Sequence, residues 1–156
     1  MQPVVIVSTG IGNTASVAAA LRRCGAACVI TTEADRVRDA ERVVLPGVGS
    51  FGAGMRCLED NGLIGVMRAR IEGDRPLLAV CLGMQLLCAS SEESPGVTGL
   101  GVIGAPVRRF PPGVCTPQFG WNLVDAEAGG LVERGYAYFA NSYRLTDAPA
   151  GWSSAT

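Results

Sequence analysis

The sequence predicts an α/β fold, a mostly parallel sheet flanked by helices with an antiparallel extension, and three observations carry that prediction. Short apolar runs rich in valine, isoleucine and leucine alternate with stretches of helical period as far as Glu93. Glycine-bearing turns follow the first, third and fourth of these runs, at the strand ends where ligands sit in parallel sheets. Beyond Glu93, glycine and proline punctuate the chain and the remaining strand-like runs are no longer separated by helices.

Taken in order, Val4 to Ser8 reads as a buried strand, Gly10 to Asn13 as a turn, and Thr14 to Cys24 as a helix with Val17, Ala18 and Leu21 on one face. Cys28 to Thr32 is a second strand, and the polar stretch Glu33 to Ala40 a helix. A third strand, Arg42 to Leu45, stops at Pro46 and opens into the glycine-rich loop PGVGSFGAGM. Helices are expected over Met55 to Asp60 and Leu63 to Glu72, separated by Asn61 and Gly62. Leu77 to Val80 is a fourth strand reaching Cys81, and beyond Gly83 a helix with Met84, Leu87 and Cys88 on its apolar side follows. The later strands are Gly101 to Phe110, Gly120 to Val124 and Tyr136 to Leu145, read as an extension of the same sheet. No linker divides the chain, so residues 1–156 are expected to form a single domain.

Composition narrows the function. The net charge of −1 and the absence of a basic cluster argue against nucleic acid or an anionic membrane as partner. No apolar run is long enough to span a bilayer, and MQPVVIV lacks a charged leader, so a cytoplasmic protein is expected. The six cysteines form no CxxC pair, which implies neither a disulfide framework nor a metal site; five of them read as small core residues. No cofactor is implied. The chain has no histidine, and all 13 basic residues are arginine. Proton transfer near neutral pH is therefore left to Asp, Glu, Tyr, Cys or water.

The strand, sharp turn and helix around Cys81 have the order of a nucleophile elbow, in which a strained turn lifts a reactive side chain clear of the sheet edge and tolerates only small neighbours. Ala79 and Gly83 satisfy that demand. The alternative is a cysteine that merely packs. In Pro46 to Gly54 four glycines allow close backbone approach, and the free amides there, with that of Leu82, would form an oxyanion hole; otherwise these glycines only turn a corner. Gln85, read on one helical face with Glu92 and Glu93, offers an amide and a carboxylate for the polar ends of an amino acid, the alternative being solvated surface. A competing pattern, Gly10, Gly12 and Ala15 with Glu33 downstream, fits a dinucleotide fingerprint, but it is short, carries alanine at its third position and lacks a second half.

CLGMQLL at Cys81 to Leu87, LPGVGSFGAGM at Leu45 to Met55, SSEESPGV at Ser90 to Val97, GLGVI at Gly99 to Ile103, VRRFP at Val107 to Pro111, FGWN at Phe119 to Asn122 and YFANSYR at Tyr138 to Arg144 resemble the glutaminase subunits of imidazole glycerol phosphate synthase, which are class I glutamine amidotransferases. The resemblance runs the length of the chain. It implies a flavodoxin-like amidotransferase fold and a histidine-biosynthetic glutaminase. Cys81 would form a thioester with glutamine, and the ammonia released would pass to a cyclase subunit in a heterodimer. On the matching positions it implies Val48, Gly49 and Leu82 for the oxyanion region, Gln85, Glu93 and the backbone of Ser142 and Tyr143 for glutamine, and Asn13, Trp121 and Tyr138 for the cyclase. Three departures accompany it. Ala79 stands where the family usually has glycine, Gln118 and Asn141 stand where it often has histidine, and the family's catalytic His and Glu belong to an HPE motif that these residues do not contain. The expectation is thus a C-terminally incomplete domain that is inactive alone, the alternative being a noncatalytic protein that keeps only the fold or the partner surface.

Overall fold

The computed structural model describes residues 2–10, 12–126, 130–147 and 149–155. Four strands, β1 (Val4–Val7), β2 (Cys28–Thr31), β3 (Val43–Gly47) and β4 (Leu77–Cys81), form a parallel sheet in the order β2-β1-β3-β4. The near-continuous apolar sequences of the two central strands, β1 and β3, reflect burial on two faces, while the edge strands β2 and β4 are partly exposed. On one face Val4, Ile6 and Val44 meet Val17, Ala18 and Leu21 of helix α1 (Thr14–Arg23). On the other, Val5, Val7, Val43 and Leu45 pack with Val37 of α2 (Ala34–Asp39), Phe51, Met55 and Leu58 of α3 (Phe51–Asp60), and Leu63 and Met67 of α4 (Leu63–Glu72). The parallel sheet, the helices on both faces and the single apolar face of α1 are as the sequence predicts.

Strand β3 runs two residues past its expected end, with Pro46 opposite Val80 and Gly47 opposite Cys81. The proline is tolerated because β1 pairs with β3 only at Val43 and Val44, so its missing N–H leaves no ladder bond unmade on that side. Only half of the glycine-rich stretch is loop. Helix α3 begins at Phe51, so Gly52 and Gly54 sit inside it, where a Cβ would press on Ser94 and on Leu86 respectively.

The helix after Cys81 is the main correction. It is a single turn, α5 (Leu82–Gln85), and Cys88–Ser91 is a strand, β5. A longer helix would need the carbonyls of residues 86–89 for itself, but these accept from a crossing segment instead. Leu100 N–H donates to Leu86 O at 2.8 Å, Ile103 N–H to Leu87 O at 2.9 Å, Gly101 N–H to Cys88 O at 3.2 Å and Gly99 N–H to Ala89 O at 2.9 Å. Gly99 permits this approach, since a Cβ there would lie 2.1 Å from Cys88 O. Glu92 and Glu93 therefore do not share a helical face with Gln85.

Strand β5 pairs in parallel with β6 (Ile103–Arg109), which pairs antiparallel with β9 (Tyr143–Arg144). Strands β7 (Gln118–Val124) and β8 (Gly135–Asn141) form a separate antiparallel hairpin. The antiparallel part is present, but as two further sheets rather than on the β4 edge, and its first pair is parallel. The cysteines also differ from expectation. Only Cys88 is buried; Cys28 and Cys57 are half-buried, and Cys24, Cys81 and Cys115 are exposed. Among the described residues no helix is long and apolar enough to cross a membrane.

Candidate active site

The site forms at the carboxyl edge of the parallel sheet. Cys81 ends β4 with φ 56° and ψ −117°, a backbone conformation that favours glycine, and its side chain is exposed. The strain is held by the packing that follows it. Leu82 is buried, and Gly83 lies so close to β3 that an added Cβ would fall 1.9 Å from Leu45 O. Any larger residue at Gly83 would push the turn off the sheet. The elbow geometry that the sequence predicts is therefore present, with a small residue required at Gly83 for the stated reason.

Gly47 is the register neighbour of Cys81 and touches the elbow from the other side, its ideal Cβ lying 3.0 Å from Leu82 Cβ and 3.2 Å from Gly83 N. The loop beyond it carries exposed Val48 and then Gly49 at φ 97°, a conformation that glycine supplies without strain. The amides of Val48, Gly49 and Leu82 donate no hydrogen bond among the described residues. Free donors at this edge are what an oxyanion requires. The donors just beyond them are occupied. Phe51 N–H donates to Glu93 Oε2 at 2.7 Å, Gly52 N–H to Ser94 Oγ at 2.9 Å and Ala53 N–H to Ser50 Oγ at 3.4 Å. Glu93 thus caps α3 beside the loop, so one of its oxygens already serves a structural role.

Gln85 reaches the later sheet. Its Nε2 donates to Tyr143 O at 3.3 Å, and Asn141 Nδ2 donates to the same carbonyl at 3.1 Å. The Ser142 carbonyl accepts from Phe110 N–H at 3.3 Å. Gln85, Ser142 and Tyr143 therefore come together, while Glu93 stands on the α3 side. Glu92 faces elsewhere, held by Arg108 Nη1 at 2.8 Å and Arg109 N–H at 2.9 Å, which keep its carboxyl below the usual range, the Arg109 amide contributing most. It borders an open cleft of about 520 Å³ with Phe110, Pro111, Pro112 and Val114, a cleft that contains none of the other candidate residues.

The residues expected to meet a partner fall on two elements. Asn13 caps α1, its Oδ1 accepting from Ser16 N–H at 3.1 Å. Trp121 and Tyr138 are direct cross-strand neighbours on the hairpin, with ring centroids 5.7 Å apart edge to face, and both are exposed. Gln118 and Asn141, the two departures from the family pattern, also stand opposite one another in this register. Of the dinucleotide pattern, Glu33 pairs with Arg36 at 2.8 Å, and Ile11 lies outside the described residues. Among the described residues no group of three or more His, Cys, Asp or Glu is placed to hold a metal.

Sequence reasoning missed Ser94 and Arg70. Ser94 lies in the quoted SSEES run but acts across 42 residues, so no local pattern marks it. Arg70 is almost fully buried and donates to Val37 O, Ala40 O and Pro76 O, tying the end of α2 to the start of β4. Burial and then neighbouring Arg75 lower its pKa. Its place inside a helical stretch gives it the look of an ordinary surface arginine.

The family model for "Glutamine amidotransferase class-I" matches residues 5–128. The chain is 41% identical to "Imidazole glycerol phosphate synthase subunit HisH" of Symbiobacterium thermophilum, over 96% of this chain and 73% of that protein. It is 42% identical to the same-named protein of Methanothermobacter thermautotrophicus, covering 90% of this chain and 72% of the relative. The Yersinia pseudotuberculosis protein of that name is 40% identical, covering 94% and 76%. A solved structure titled "Crystal structure of glutamine amidotransferase" superposes with a TM-score of 0.74, at 21% identity, covering 94% of this chain and 76% of that one. By the matched residues 5–128 and by these relatives, the chain belongs to the class I glutamine amidotransferase family, among the imidazole glycerol phosphate synthase glutaminase subunits.

Proposed function

We propose that this protein is the glutaminase subunit of an imidazole glycerol phosphate synthase, with Cys81 as nucleophile and the amides of Val48, Gly49 and Leu82 as oxyanion donors. The sulfur attacks the carboxamide carbon of glutamine, and the C–N bond breaks with protonation of the departing ammonia. Water then hydrolyses the thioester to glutamate and restores the thiol. Gln85, Glu93 and the backbone of Ser142 and Tyr143 hold the amino-acid end, and a cyclase subunit that receives the ammonia docks on Asn13, Trp121 and Tyr138. The observation that carries this reading is Cys81 itself, exposed at positive φ beside free amides in the loop that follows the adjacent strand.

The chain contains no histidine, which favours a second reading for these 156 residues as they stand, a binding protein without turnover. The two readings separate in one experiment. A diazo-ketone analogue of glutamine should alkylate Cys81 in a reaction that free glutamine protects against. Glutamate release should lie on the order of a million-fold below that of a subunit carrying an imidazole base, by analogy with triads that lose their histidine. Labelling of Cys24 or Cys115 in preference to Cys81, with no protection by glutamine, would remove Cys81 from the mechanism. Turnover that Cys81→Ala abolishes would identify another acid and base within these residues.

A further inference from the structure

Asn141 places one atom where nothing in the protein satisfies it. Its Oδ1 is shielded from solvent and accepts no hydrogen bond among the described residues. Its Nδ2 donates to the Tyr143 carbonyl, the same oxygen that receives Gln85 Nε2. The shielded acceptor therefore stands beside Gln85 and Tyr143, two of the groups assigned above to the amino-acid end of glutamine. A buried acceptor without a donor is costly, and such atoms in native proteins are usually completed by a bound molecule or ordered water.

The geometry of the elbow says which donor would arrive there. Gln85 ends the single turn α5 that begins directly after Cys81, an axial rise of about 4.5 Å from Leu82. The carboxamide carbon and the α-nitrogen of an extended glutamine are about 5 Å apart by standard bond lengths. A glutamine whose carboxamide meets the Cys81 sulfur thus brings its α-ammonium group to the level of Gln85, Tyr143 and Asn141. We infer that Asn141 Oδ1 accepts a hydrogen bond from the α-ammonium group of bound glutamine, which makes Asn141 a substrate-binding residue and not only a brace for the Tyr143 carbonyl. This rests on the proposed glutaminase reading. It assigns to an asparagine a role in distinguishing an α-amino acid from the same carboxamide without the amine.

The test is a cycle of two ligands and three chains, measured by titration calorimetry on the 156-residue protein. The ligands are L-glutamine and 4-carbamoylbutanoate, which keeps the carboxamide and carboxylate but lacks the amine. The chains are the wild type, Asn141→Leu and Asn141→Asp. Wild type should prefer glutamine. Asn141→Leu should weaken glutamine about tenfold or more while changing 4-carbamoylbutanoate far less, so that the preference collapses. Asn141→Asp retains the acceptor and adds a negative charge but loses the Nδ2 donor, so it should bind glutamine at least as tightly as wild type. A purely structural role predicts equal losses for both ligands in Asn141→Leu and a loss of glutamine binding in Asn141→Asp; either result overturns the inference. Failure of the parent reading looks different, because wild type would then bind neither ligand and Cys81 would resist the diazo-ketone.

Discussion

At Cys81 the chain accepts a backbone that costs a non-glycine residue about 1–3 kcal/mol. Cys81→Gly should therefore raise stability by about 1 kcal/mol, or about 2–4 °C in Tm for a chain of this size, while abolishing reaction with the glutamine analogue. Thermal melting and peptide mapping check the two halves together; an unchanged or lower Tm would mean that the turn is not strained. Simple alkylation by iodoacetamide does not isolate this residue, because Cys24 and Cys115 are exposed as well, whereas burial pushes the Cys88 thiol up to about 11. The elbow was legible because its requirements are local: a β run, a small residue on either side and a thiol. The exposure of the other cysteines was not, because helix faces and loop tips that stay open are set by what packs nearby.

Helix α3 illustrates how an element boundary is fixed from a distance. Its first two amides are satisfied by Glu93 and Ser94, 42 residues away, and this lets it start at Phe51 rather than at Met55. Glu93→Ala should cost about 1–2 kcal/mol of stability in a denaturant titration, even without glutamine present. A neutral result would show that the cap is unimportant to folding. Glu92 gives a pH signature. Its folded-state pKa is lowered, so its contribution is fully present above the unfolded carboxylate value of about 4.3 and is lost as pH falls through the lower folded value. Glu92→Gln should accordingly remove part of the acid limb of a stability–pH curve and leave its slope above about pH 6 unchanged; a difference confined to alkaline pH would contradict the assignment. The same logic explains why α5 is shorter than its apolar spacing predicts. Its apolar spacing suits helix or buried strand alike, and the choice is made by residues 99–103, whose amides claim the carbonyls.

Across the whole molecule, apolar surface collects on one face of the β7–β8 hairpin, where Phe119, Trp121, Leu123, Tyr136 and Tyr138 all point outward and are exposed. Alternation along both strands puts them on that face together. Patches of this kind mark protein interfaces, and aromatic residues dominate their binding energy. Trp121→Ala should weaken association with a cyclase subunit by about 2 kcal/mol, roughly thirtyfold in Kd, and leave the melting temperature of the free chain unchanged. Equal loss of stability would place Trp121 in the fold instead. The outer strand β4 adds Leu78 and Val80 to the exposed apolar surface of the sheet. The parallel sheet followed from the alternation of apolar runs with helical stretches, whereas its strand order and the division of the later strands into separate sheets depend on pairings that no stretch of sequence displays. The pairing of Gly47 with Cys81 has a last consequence. The proposed nucleophile and the strand end that leads into the Val48–Gly49 loop sit opposite one another on adjacent strands about 4.8 Å apart, so the start of that loop is placed by the sheet spacing. The amides of Val48 and Gly49 lie within two residues of that hydrogen-bonded strand end, which limits how far the loop carrying them can drift from the sulfur.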